Sequence, residues 1–100
     1  MNDTVLVRQG DYFGAPPELT IHLVERLRDE LIAALREGGG MTIVMDSVGH
    51  IDTAALQVLV SARRTAAALG RELVLARPSE AVRGVADRLG LEQALFGPAA

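Results

Sequence analysis

Two compact aliphatic runs, MTIVMD at residues 41–46 and RELVLAR at 71–77, flank an alanine-rich stretch, TAALQVLVSARRTAAALG at 53–70. The runs read as strands, the second stopped by Pro78, and the stretch between them reads as a long helix. This feature constrains the fold most, because a helical crossover between two strands favours their parallel pairing in one sheet. Upstream, TVLVR (4–8) and PPELTI (16–21) are two further strand candidates, the latter unable to be helical at its Pro-Pro start. Between them and residue 41, HLVERLRDELIAALREGGG places Leu23, Val24, Leu27, Leu31, Ala34 and Leu35 at helical spacing. Arg26 and Glu30 fall at an i,i+4 spacing on its outer side, and the glycines stop it. No Lys-Ser/Thr follows those glycines, so they do not read as a phosphate loop.

After Pro78, SEAVRGVADRLGL supplies Ser79 as helix cap, Glu80 against the dipole, an apolar stripe of Val82, Val85, Ala86 and Leu89, and Gly90 as the stop. A last turn, LEQALF, packs Leu91, Leu95 and Phe96 back. The expected fold is therefore α/β: a mixed sheet of about four strands flanked by three helices plus a short C-terminal helix, in the order β-β-α-β-α-β-α-α. One hundred residues, 49% of them hydrophobic, suffice for one core, so residues 1–100 are expected to form a single domain.

Composition removes several kinds of function. The absence of cysteine excludes disulfides, thiolate chemistry and Cys-ligated zinc. A net charge of −3, with no lysine and no basic run, argues against nucleic-acid binding, which needs clustered cations. Tyr12, Phe13 and Phe96 are too few for a base-stacking platform. The start MNDTVLVRQGDYF has neither the basic residues nor the long apolar stretch of a signal peptide, so a cytoplasmic protein without membrane insertion is expected.

Chemistry-bearing residues concentrate between Asp46 and the helix opened by Asp52-Thr53. Asp46, His50 and Asp52 offer a carboxylate-imidazole-carboxylate set, but no further ligand accompanies them, and no metal or other cofactor is expected. Asp46 at a strand end resembles a phospho-acceptor aspartate, but that chemistry needs a late lysine, which is missing. Thr53 or Ser47 as nucleophile would need a placed base, and His22 has nothing to orient it. No catalytic residue can be named, and an enzyme is not expected. Either Asp52 or Thr53 would serve as the helix cap, which by itself accounts for the pair. At about 100° per residue, Ala55, Leu59, Ala62, Ala66 and Leu69 form a core stripe. Thr53, Gln57, Val60, Ser61 and Arg64 form the opposite, mixed stripe, readable either as a solvated face or as a partner surface.

A strand ending in Asp46, then SVGHIDTAAL, an amphipathic helix, and RELVLARPSEAVRGVADRLGL together resemble the STAS domain of anti-sigma factor antagonists and sulphate-transporter tails. The family's Asp-Ser-Ser-Gly-Leu box, whose first Ser is the phosphorylation site in the antagonists, reads here Asp52-Thr53-Ala54-Ala55-Leu56. The hydroxyl is kept as Thr53, a second hydroxyl is lost at Ala54, and Ala55 adds a methyl where the family has glycine. The resemblance implies a partner switch of the stand-alone bacterial signalling type. An unphosphorylated domain would bind a GHKL-type ATPase, an anti-sigma factor and serine/threonine kinase, which then phosphorylates Thr53. The expected partner face comprises Asp46, His50, Asp52, Thr53, Gln57, Val60, Ser61 and Arg64; a weak homodimer is compatible with it. The alternative is a constitutive interaction module of a lipid-transport ATPase or a chemotaxis system.

Overall fold

A computed structural model describes residues 4–98. Four strands, β1 (Val7–Gln9), β2 (Tyr12–Gly14), β4 (Met41–Val44) and β6 (Leu73–Ala76), form one sheet in the order β1-β2-β4-β6. β1 and β2 are an antiparallel hairpin, while β2–β4 and β4–β6 are parallel. The parallel pair β4–β6 is the one expected from the helix between them, α2 (Thr53–Ala68). Two further strands, β3 (Glu18–Leu19) and β5 (His50–Ile51), make a separate two-stranded parallel ribbon. Helices α1 (Val24–Arg36), α3 (Glu80–Leu89) and α4 (Glu92–Phe96) complete the chain, with a 3-10 turn at Ile21–Leu23 leading into α1.

The mixed α/β architecture agrees with the sequence, but the first strands lie elsewhere. The second strand of the main sheet is Tyr12–Gly14, not residues 16–21, of which only Glu18–Leu19 is extended, and that in the small ribbon. Pro16 and Pro17 have no amide to donate to a ladder, and three residues of β2 are too few to show an alternating pattern. Gly10, at φ +68°, makes the two-residue connection between Gln9 and Tyr12. Residues 4–6 precede the first strand. The Val5 and Leu6 amides donate to the two carboxylate oxygens of Glu30, at 2.6 and 2.9 Å, which anchors the entering chain on α1. Glu30 is thus engaged with the backbone, and among the described residues it forms no ion pair with Arg26.

Leu27, Leu31 and Leu35 of α1 are fully buried at the expected spacing, and join Ile43, Met45, Leu56, Leu59, Leu73, Val82 and Leu95 in one core. α1 packs on α2, α2 on β6 and α4, and α3 on β5 and α4. Gly38 and Gly39 have positive φ after the end of α1, and at Gly40 a β-carbon would lie 2.6 Å from the Glu72 carbonyl oxygen, so that this end of β4 can approach β6 only without a side chain. Ser79 caps α3 as expected, its Oγ accepting from the Val82 amide at 3.2 Å and donating to the Val48 carbonyl, and Gly90 closes α3 in the left-handed region. Leu69 and Leu89, assigned to core stripes from spacing, are 48% and 42% exposed: each lies where its helix ends and no neighbouring element reaches it.

Candidate functional site

The start of α2 is held by the ribbon. Pro17 O accepts from the amides of Gly49 and His50, at 2.7 and 3.1 Å, and Leu19 O accepts from the Asp52 amide at 3.3 Å. Asp52 is therefore delivered in an extended conformation (φ −112°, ψ 174°) with its side chain between two helix beginnings. Its Oδ1 accepts from the Ala55 amide at 3.1 Å, capping α2, and its Oδ2 accepts from the Ile21 amide at 2.7 Å, where the 3-10 turn begins. Of the two capping candidates, Asp52 takes the role. Asp52→Ala is expected to lower stability by about 1–2 kcal/mol, a cap plus a second charge-assisted bond partly replaced by water. Urea denaturation measures it, and an unchanged midpoint would contradict the double role.

Because Asp52 caps, Thr53 is free. Its side chain is exposed, and its hydroxyl makes no hydrogen bond among the described residues. The amides of Thr53 and Ala54 have no acceptor either, since the helical ladder begins with Leu56 N on Asp52 O and Asp52 Oδ1 takes Ala55 N. A hydroxyl thus projects beside unpaired N–H groups at the positive end of a sixteen-residue helix, a setting that accommodates added negative charge. Ala55 is fully buried, so the methyl that replaces the family's glycine faces the core and not an incoming partner.

Gln57, Ser61 and Arg64 are exposed on the same side of α2 as Thr53. Val60 is not part of that surface. It is 4% exposed and lines a cleft with Gln93, Ala94 and Pro98, because α4 packs against this flank of α2 and widens its buried arc. Asp46 pairs with Arg77 at 3.3 Å, both side chains being substantially exposed. His50 is exposed in β5. Asp46, His50 and Asp52 do not converge: among the described residues no group of three His, Asp or Glu could hold a metal ion. Arg77, which composition and spacing did not single out, adopts φ +53°, unusual for a non-glycine residue, at the end of β6 beside Asp46. Its only cue in the sequence is its place before Pro78, where the right-handed helical region is disfavoured.

The model of the STAS domain matches residues 12–97. The chain belongs to the STAS domain family. Two solved structures share its fold at low sequence identity. The anti-sigma factor antagonist SpoIIAA in its unphosphorylated form superposes with a TM-score of 0.73 at 21% identity, over 91% of this chain and 84% of the other. A Thermotoga maritima protein, tm1081, described as a candidate anti-sigma factor antagonist, gives 0.74 at 21% identity, over 91% and 81%. No curated protein sequence matches the chain. In this STAS domain the family's hydroxyl-bearing box is Asp52-Thr53-Ala54-Ala55-Leu56, with the first residue as cap, the second outward and the last two in the core. Among the described residues no helix is long and apolar enough to cross a membrane.

Proposed function

We propose that this STAS domain is a cytoplasmic partner-switching regulator of the anti-sigma factor antagonist kind, without enzymatic activity of its own, and that phosphorylation of Thr53 is the switch. The observation that carries it is the division of labour at the start of α2: Asp52 holds the helix, so the exposed Thr53 hydroxyl has no structural duty to lose. The two fold neighbours named as antagonists make a GHKL-type ATPase, acting as anti-sigma factor and kinase, the fitting partner. In the reaction, Thr53 Oγ attacks the γ-phosphorus of ATP held with Mg²⁺ by the partner. The new O–P bond forms as the bond to ADP breaks, and the hydroxyl proton passes to a base of the partner. The partner face consists of Asp46, His50, Thr53, Gln57, Ser61 and Arg64, with Asp52 behind it.

A phosphate on Thr53 carries about −1.5 to −2 charges. The isolated domain tolerates it, because it faces open amides and the helix dipole. In a complex it is desolvated close to Asp52, at a cost of several kcal/mol, and each 1.4 kcal/mol is tenfold in affinity. Incubation with the cognate ATPase, Mg²⁺ and ATP is expected to add one phosphate, located on Thr53 by peptide mass spectrometry. Thr53→Ala should block the modification and keep the complex; Thr53→Asp should keep the fold and weaken the complex by about tenfold or more, less than phosphate does. Phosphate on Ser47, Ser61 or Ser79, or none under conditions where the complex forms, would instead favour a constitutive module of a transport or chemoreceptor assembly.

A further inference from the structure

Further along α2 from Thr53, between the helix, β6 and α4, lies a cleft of about 480 Å³, well within the size range of small-ligand sites. Val60, Arg63, Arg64 and Ala67 follow one another at helical spacing along its wall, Arg71 stands just beyond the helix, and Leu73 of β6 and Ala94 of α4 close the other side. Among the described residues three arginines and no carboxylate line it, in a chain whose net charge is −3. The nearby Glu72 and Glu92 line other concavities of the surface.

These arginines are not neutralised elsewhere. Arg64 and Arg71 make no side-chain hydrogen bond or ion pair among the described residues. Arg63 donates to three backbone carbonyls, those of Leu73, Ala94 and Gly97, which leaves two of its five N–H groups open, and among the described residues its charge has no counter-ion. Low-dielectric walls focus such a field and raise the local concentration of anions. The guanidinium fork matches a carboxylate or phosphate, while Val60, Ala67, Leu73 and Ala94 supply an apolar lining that a bare inorganic anion would not use.

We propose that this cleft binds a small amphipathic anion, a carboxylate or phosphate head on an apolar body. The head sits on Arg64 and Arg71 and the body lies over Val60 and Ala67. The site lies away from the start of α2, since Arg64 is eleven residues beyond Thr53, roughly 16 Å along the helix, and Arg64 is the one residue it shares with the partner face. It does not depend on phosphorylation of Thr53.

Dodecyl phosphate below its micelle concentration is a suitable probe, followed by calorimetry and by ¹H–¹⁵N correlation spectra of the full chain. Saturable binding is expected, with the largest shifts at Val60, Ala67, Leu73 and Ala94. Inorganic phosphate, lacking the body, and dodecanol, lacking the charge, should each bind at least about tenfold more weakly. Arg71→Gln should weaken dodecyl phosphate by about tenfold with the melting midpoint unchanged. Laurate binding like dodecyl phosphate would extend the site to carboxylates, as proposed. No saturation, dodecanol binding as well as dodecyl phosphate, or shifts gathered instead in the cleft between α1 and α2 around Leu31 and Val58 would overturn the assignment. So would an acidic peptide that occupies the cleft when dodecyl phosphate does not, since that would give the surface to a protein partner.

Discussion

Val60→Glu is expected to destabilise the protein by several kcal/mol, a large share of its total stability. Val60 is 4% exposed, on the flank of α2 that faces α4 and beside the cleft lined by Arg63, Arg64 and Arg71. Burying a carboxylate there without a designed partner costs several kcal/mol, against a total stability of about 5–15 kcal/mol for an ordinary domain. The nearby arginines of the cleft can draw the new carboxylate outward, but only by pulling the side chain off its packing position, which forfeits the valine's own contacts. Circular dichroism melting measures the loss. Ser61→Glu, one residue on and exposed, should stay within about 0.5 kcal/mol of the parent. Leu59→Ala, one residue before and 1% exposed, should cost about 2–5 kcal/mol. A Val60→Glu protein melting at the parental temperature would mean that α4 does not cover this flank in solution.

Removal of the Arg63 guanidinium is expected to have the next largest effect. Nε donates to Leu73 O at 3.0 Å, Nη1 to Ala94 O at 2.7 Å and Nη2 to Gly97 O at 2.7 Å, so a single side chain ties α2 to β6, to the middle of α4 and to the residue that follows it. The Leu73 carbonyl lies on the open edge of the sheet: among the described residues β6 pairs only with β4, and the amides of Met41 and of Met45, just after β4, take the carbonyls of Glu72 and Ala76. Arg63 therefore also covers an edge strand that could otherwise pair with another chain. Charge-assisted bonds contribute about 1.5–3 kcal/mol apiece, but the one to Ala94 is exposed and its carbonyl can turn to water, so Arg63→Ala should cost about 2–4 kcal/mol in all. A helix of five residues has no stability of its own. Hydrogen exchange at Leu95 and Gly97 should accelerate before the rest of the protein does. Arg63→Lys should fail to rescue, because one ammonium cannot span three carbonyls as the planar fork does; full rescue by lysine would reduce the contribution to charge alone.

How much of this was legible in the sequence follows the distance over which each signal acts. Caps and stops are written within a few residues: Ser79 with Val82, Gly90 after Leu89, and Asp52 before a run of good helix formers were readable and are found in those roles. The amphipathic spacing of Leu27, Leu31 and Leu35 is likewise local, as is the β-α-β crossover that makes β4 and β6 parallel. The hydroxyl box could be read to the residue, with Asp52 as the cap and Thr53 facing outward. What could not be read is the second partner of Asp52, the amide of Ile21 thirty-one positions away.

By itself, then, the amino-acid sequence determined the mixed α/β class, the order of the helices with β4 and β6 between them, the helix ends, the core of α1 and the box that carries the family resemblance. Tertiary structure decided the rest. Tyr12–Gly14 is a strand because β4 is there to pair with it, and His50–Ile51 because Glu18–Leu19 lies alongside. Val60 is buried because a helix from the other end of the chain closes over it, and Arg63 is a tie because three carbonyls from residues 73–97 converge on its fork. Periodicity reports one apolar direction per helix, whereas the burial of α2 is the sum of two neighbours, the sheet and α4, that meet it on different flanks, and only the folded chain sets the angle between them.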